Sequence, residues 1–110
     1  MIRHLVFWLW NDRMTPARIR RQLSMMKDAG VGGVFFHSMP REFGGAQYPE
    51  GMPGYLSPYY FRMIREAVST AAELGMESWL YDEGGWPSGT LNGELVRKHP
   101  EWRAQFLVPG

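Results

Sequence analysis

The stretch Leu5-Val6-Phe7-Trp8-Leu9-Trp10-Asn11-Asp12-Arg13-Met14-Thr15-Pro16 decides how the rest of the chain is read. Residues 5–10 are continuously apolar and aromatic, as in a strand buried on both faces of a parallel sheet. The run stops at two polar residues. Thr15 then supplies an N-cap and Pro16 a first helical residue with its φ already set. Ile19, Leu23 and Met26 follow at spacings of four and three, an apolar stripe on a helix that ends at Gly30. Strand and helix in that order make one βα unit.

The unit repeats along the chain. Val31 to His37 reads as a second strand, in which Gly32 and Gly33 mark close approach of neighbouring backbone. A long loop, residues 38–56, carries Pro40, Gly44, Gly45, Pro49, Gly51, Pro53 and Gly54. Ser57-Pro58 restates the cap-plus-proline signal 42 positions after the first. Phe61, Ile64, Val68 and Ala71 give the expected stripe of the second helix, and Gly75 ends it. Glu77 to Tyr81 is the third strand. Leu91 to Lys98 is expected to form a short helix, and the tail from Pro100 to Gly110 to begin a further strand at its end.

Two architectures accommodate three such units: an open doubly wound sheet, or part of an eight-stranded (β/α)8 TIM barrel. No Gly-x-Gly-x-x-Gly follows the first strand, which argues against dinucleotide binding. The first strand lies at the start of the chain, with nothing ahead of it to cover its edge. A partial TIM barrel of about three βα units with parallel strands is therefore expected. A whole barrel takes about 250 residues, so residues 1–110 are expected to be an N-terminal fragment of a barrel domain.

Composition narrows the function. The 110 residues are 45% hydrophobic and 21% charged, as in a folded domain. Twelve basic against eleven acidic residues leave a formal charge of +1, so no overall field draws nucleic acid or an anionic membrane. Arg18, Arg20 and Arg21 read as the solvated face of the first helix. The absence of cysteine excludes disulfides, thiolate metal sites and cysteine nucleophiles. The apolar run at the N-terminus is too short to span a membrane and lacks the cleavage pattern of a signal peptide. The compartment stays open.

If the strands are parallel, their carboxyl ends share one edge of the sheet, where barrel active sites form. Those ends carry Asn11 and Asp12, then His37 and Ser38, then Asp82 and Glu83. The third leads into Trp79-Leu80-Tyr81-Asp82-Glu83-Gly84-Gly85-Trp86-Pro87-Ser88-Gly89, which sets two carboxylates beside an indole. Carboxylates hydrogen-bond hydroxyls or exchange protons with a glycosidic oxygen, and an indole packs on the apolar face of a pyranose. Each residue also has a plain structural reading. Asn11 and Asp12 could turn the chain, His37 could be a hydrogen-bonded histidine at the rim of the core, and Trp86 could staple the loop.

Consecutive strand residues point to opposite faces, so Asp82 and Glu83 are poor partners for one another as acid and base. Glycosidases hold the two carboxyls about 5–5.5 Å apart for retention or about 6.5–9.5 Å for inversion. The partner carboxyl is expected from another strand; Glu42 and Glu50 lie in the long loop and could approach, but no spacing singles them out. No His-x-His, His-Glu-x-x-His or Gly-x-Ser-x-Gly is present. Calcium could sit among Asp82, Glu83 and loop carbonyls. The alternative reading is a non-catalytic carbohydrate-binding or structural α/β module.

Phe7-Trp8-Leu9-Trp10-Asn11-Asp12, the segment from Gln22-Leu23 through Ala29-Gly30-Val31-Gly32-Gly33-Val34, and Tyr81-Asp82-Glu83 with Trp86-Pro87-Ser88-Gly89 together resemble glycoside hydrolases of the α-L-rhamnosidase family 106 and its relatives. The similarity covers nearly the whole chain in the same order. It implies the opening units of a catalytic barrel and hydrolysis of a terminal sugar by carboxylate acid/base chemistry, calcium-assisted in some members. It places Asn11, His37, Asp82, Glu83 and Trp86 around the sugar, with Glu83 or Asp82 the catalytic candidate. The expected partners are a carbohydrate substrate and the rest of the barrel, or a second copy by self-association.

Overall fold

The computed structural model describes residues 3–39, 55–85, 89 and 91–110. Strand β1 (Leu5–Trp10) leads to helix α1 (Pro16–Asp28), strand β2 (Gly33–Ser38), helix α2 (Pro58–Glu73) and strand β3 (Glu77–Gly84). A 3-10 turn (Leu91–Gly93), a short helix α3 (Glu94–Lys98) and a second 3-10 turn (Pro100–Trp102) follow. The strands lie in the order β1-β2-β3 and both pairs are parallel. Three parallel strands alternating with helices match a (β/α)3 portion of a TIM-barrel-like fold. None of the described helices is long and apolar enough to cross a membrane.

Both long helices start and stop by the same local chemistry. Thr15 and Ser57 are extended, and their hydroxyls accept from the N–H of Arg18 at 3.2 Å and of Tyr60 at 3.1 Å. Each cap satisfies one of the donors that a helix N-terminus leaves over. Gly30 and Gly75 close the helices at φ of +87° and +65°. Val31 N–H then reaches back to Met26 O at 3.0 Å, and Met76 N–H to Ala71 O at 2.8 Å. This is the Schellman arrangement, in which a left-handed residue lets the chain fold back on the last carbonyls.

One face of the sheet carries Trp8, Trp10, Val34 and Phe36, packed against Ile19 and Leu23 of α1 and Met63, Ala67 and Ala71 of α2. The Trp8 indole donates to Gln22 Oε1 at 2.8 Å, which satisfies its N–H beneath the helix. The other face is an aromatic ladder. Phe7 stacks on Phe35 with centroids 5.1 Å apart, and Phe35 meets Trp79 at 5.6 Å. No described helix covers this side, and Phe7 is 56% exposed. Gly33 explains how closely the strands approach: a Cβ there would lie 2.8 Å from the carbonyl oxygen of Glu77.

Four features differ from the sequence reading. β2 begins at Gly33, because Val31 is spent closing α1 and both Gly32 and Gly33 donate to His4 O. The buried stripe of α2 is Tyr60, Met63, Ala67, Thr70 and Ala71, shifted from the expected one, so that Phe61 and Val68 face outward. Small Ala67 and Ala71 take the positions against the sheet. β3 runs three residues beyond Tyr81, to Gly84. The tail forms no strand; residues 104–110 are exposed, with no sheet edge paired to them. Most of the long loop, residues 40–54, lies outside the described residues, and with it Glu42 and Glu50.

Candidate functional site

The carboxyl ends of the three strands adjoin along one edge of the sheet. Met39 N–H donates to Trp10 O at 3.1 Å and Gly85 N–H to Ser38 O at 2.8 Å, so the backbone stays tied where the strands end. Of the sequence candidates, His37, Asp82 and Glu83 are gathered on β2 and β3. Asn11 is exposed just beyond β1. Trp86, together with Pro87, Ser88 and Thr90, lies outside the described residues.

His37 is buried, and its Nε2 lies 2.8 Å from Gly85 O. A carbonyl oxygen can only accept, so Nε2 carries the proton. The imidazole lies 4.1 Å from the Tyr81 ring and 6.0 Å from Phe7, the polar end of the aromatic ladder. A ring held by a backbone carbonyl and two aromatics has one orientation.

The two motif carboxylates have opposite surroundings. Asp82 is exposed, whereas Glu83 is 1% exposed. The cause is an irregularity in pairing: Phe36 is opposite Leu80 and Ser38 is opposite Gly84. β3 therefore spends two more residues than β2 over the same step, and the bulge re-aims side chains at the strand end. Oε1 of Glu83 accepts from Gly84 N–H at 3.0 Å. Its Oε2 accepts from Gly89 N–H at 3.0 Å and Leu91 N–H at 2.6 Å.

Tyr55 is the site residue that the sequence reading missed. A Cβ on Gly84 would sit 2.7 Å from Cγ of the Tyr55 ring, so that ring lies directly on the Gly84 backbone. It also meets Tyr60 edge-on at 5.2 Å. Burial raises the Tyr55 phenol above its ordinary pKa, and the charges of Glu83 and then Asp82 push the same way. The available signal was Gly84 itself, since a glycine within a strand often marks close approach by another group.

Asp12, at the end of β1, is held by its neighbours. Its Oδ1 accepts from Arg13 N–H and its Oδ2 from Arg18 Nη1, both at 2.6 Å. The Arg13 N–H, then the Arg18 hydrogen bond, keep its carboxyl below the usual value. Among the described residues no three His, Asp or Glu side chains group closely enough to hold a metal ion.

An exposed carboxylate, an oriented imidazole and aromatic faces at the ends of parallel strands suit a polyhydroxylated ligand: hydrogen-bond acceptors for hydroxyls, ring faces for C–H surfaces. No protein-family model matches the chain, and no curated protein matches it. Among solved structures, the chain is similar to a rhamnosidase from Novosphingobium sp. PP1Y, with 26% identity and a TM-score of 0.57. The similarity covers 77% of this chain but 8% of that one. The shared architecture is that of a glycoside-hydrolase-like barrel, of which this chain matches a small part.

Proposed function

We propose that residues 1–110 are the first units of a glycoside hydrolase barrel and form one wall of a subsite for a terminal sugar, rhamnose-like in class. Asn11, His37, Asp82, Glu83 and Trp86 make up that wall. Asp82 is the carboxylate that meets the sugar. The reading rests on one observation: an exposed Asp82 at the end of β3 and a buried, oriented His37 at the end of β2, in a fold similar to that of a rhamnosidase. In the hydrolytic form of the reading, Asp82 exchanges a proton with the glycosidic oxygen or hydrogen-bonds a sugar hydroxyl. Its opposite carboxyl comes from another strand of the barrel. Calcium, where bound, would draw on Asp82 and on loop carbonyls.

A second reading, sugar binding without turnover, draws support from the same geometry. Asp82 is the one motif carboxylate open to a ligand, and a glycosidase needs two across the bond. The chain should bind L-rhamnose, seen as NMR shifts of His37, Tyr81 and Asp82, and Asp82→Asn should weaken binding about tenfold. Equal affinity in the variant would remove Asp82 from the site. Release of nitrophenol from an aryl α-L-rhamnoside, abolished by Asp82→Asn, separates the enzyme from the binding module.

A further inference from the structure

We propose that Glu83 is a positioning residue. Its carboxylate binds the backbone N–H groups of Gly84, Gly89 and Leu91 and so presents Asp82, an assignment that builds on the sugar-site reading above. A fully buried carboxylate is costly unless hydrogen bonds replace its water. Gly84, Gly89 and Leu91 supply them, at 3.0, 3.0 and 2.6 Å. The partners lie one, six and eight residues along the chain. One side chain therefore ties the end of β3 to the start of the following 3-10 turn.

The backbone around it carries the cost of that closure. Gly85 and Gly89 have φ of +104° and +101°, and Leu91, which has a Cβ, has φ of +49°. A leucine in the left-handed region is strained and persists where its surroundings hold it. Here the holding contact is the shortest of the three, Leu91 N–H to Glu83 Oε2. The Tyr55 ring packs against Gly84, the first of the three N–H donors.

The same contacts separate the roles of the two carboxylates. Three converging N–H groups need a partner that only accepts, which is the ionised carboxylate. A general acid must instead offer a proton toward the substrate, and the oxygens of Glu83 face the protein's own backbone. Asp82, its exposed neighbour, is left to meet the ligand. A glutamine at position 83 has one oxygen and an NH2, so either orientation sets N–H against N–H.

The test uses labelled 110-residue chain. In the wild type, scalar coupling across the hydrogen bonds should link the Glu83 carboxylate carbon to the Gly89 and Leu91 amides; absence of both couplings would overturn the assignment. In Glu83→Gln and Glu83→Ala, exchange of those two amides should speed up about tenfold or more while the Trp8 and Trp10 amides stay protected. Asp82→Asn should leave the Gly89 and Leu91 amides unchanged. Formate added to Glu83→Ala should restore both amide protection and L-rhamnose affinity, which a merely space-filling glutamate would not allow. Unaltered exchange in both Glu83 variants would refute the proposal. If the wild type binds no L-rhamnose, the sugar reading fails, while the coupling and exchange data still decide the role of Glu83.

Discussion

At the scale of single residues, the contact of Tyr55 with Gly84 makes two measurable demands. A methyl group at position 84 would sit 2.7 Å from Cγ and 3.0 Å from Cβ of Tyr55. Those atoms lie next to the backbone and cannot swing aside as a side-chain tip can. Gly84→Ala should therefore destabilise the chain by about 1–3 kcal/mol, the range for overpacking, read from the urea midpoint. The second demand concerns charge. The Tyr55 phenol is raised above its ordinary 10.0 first by burial, then by Glu83 and Asp82. Asp82→Asn removes the smallest of these causes, so the Tyr55 titration followed by NMR should move down and still remain above 10.0. Because the folded state favours the neutral phenol, its contribution to stability is fully present below 10.0 and is lost as pH rises through the folded value. A Tyr55 titration that did not respond to Asp82→Asn would place the two groups further apart than the structure does.

At the scale of elements, what was legible in the sequence was what neighbouring residues decide among themselves. Thr15-Pro16 and Ser57-Pro58 mark the starts of α1 and α2, and Gly30 and Gly75 their ends, because caps and left-handed turns depend on a few adjacent residues. Ser57→Ala should cost about 1 kcal/mol, seen as a lower denaturation midpoint and as fraying at Tyr60 in amide exchange. The continuous apolar runs likewise announced strands β1 and β2. Other features needed partners far along the chain. The bulge in β3 belongs to its register against β2, and the N–H partners that Glu83 finds there, Gly89 and Leu91, lie beyond the strand; neither is visible in a hydrophobic pattern. The stripe of α2 was offset because both Phe61 and Tyr60 are apolar enough to be inside, and only packing against the sheet chooses between them. Alternation did forecast that Asp82 and Glu83 would part company. It did not foretell that Glu83 would turn onto the backbone.

At the scale of the whole molecule, the sheet has one packed face and one open face. Phe7, Leu9 and Trp79 on the open face are 56%, 47% and 49% exposed, and they adjoin Phe35 and Tyr81 in a single aromatic surface. In a closed barrel this face points inward and is filled by side chains from the remaining strands. Leu80, Phe61 and Val68 are exposed as well, on the side of the sheet that carries the helices. Surfaces of this kind, next to strands β1 and β3 whose outer edges pair with no described strand, favour association. As an isolated 110-residue chain the protein should therefore self-associate across the micromolar range, with a weight-average sedimentation coefficient that rises with concentration. The two surfaces can be told apart. Phe7→Lys places a charge in the centre of the aromatic ladder and should bring the sedimentation coefficient back to that of a monomer, whereas Phe61→Lys, on the far side of α2, should change it little. The reverse pattern would mean that the helix side, not the barrel-facing side, is the surface this chain must cover. A single monomer boundary for the wild type at every concentration would mean that the open aromatic face is tolerated in water as it stands.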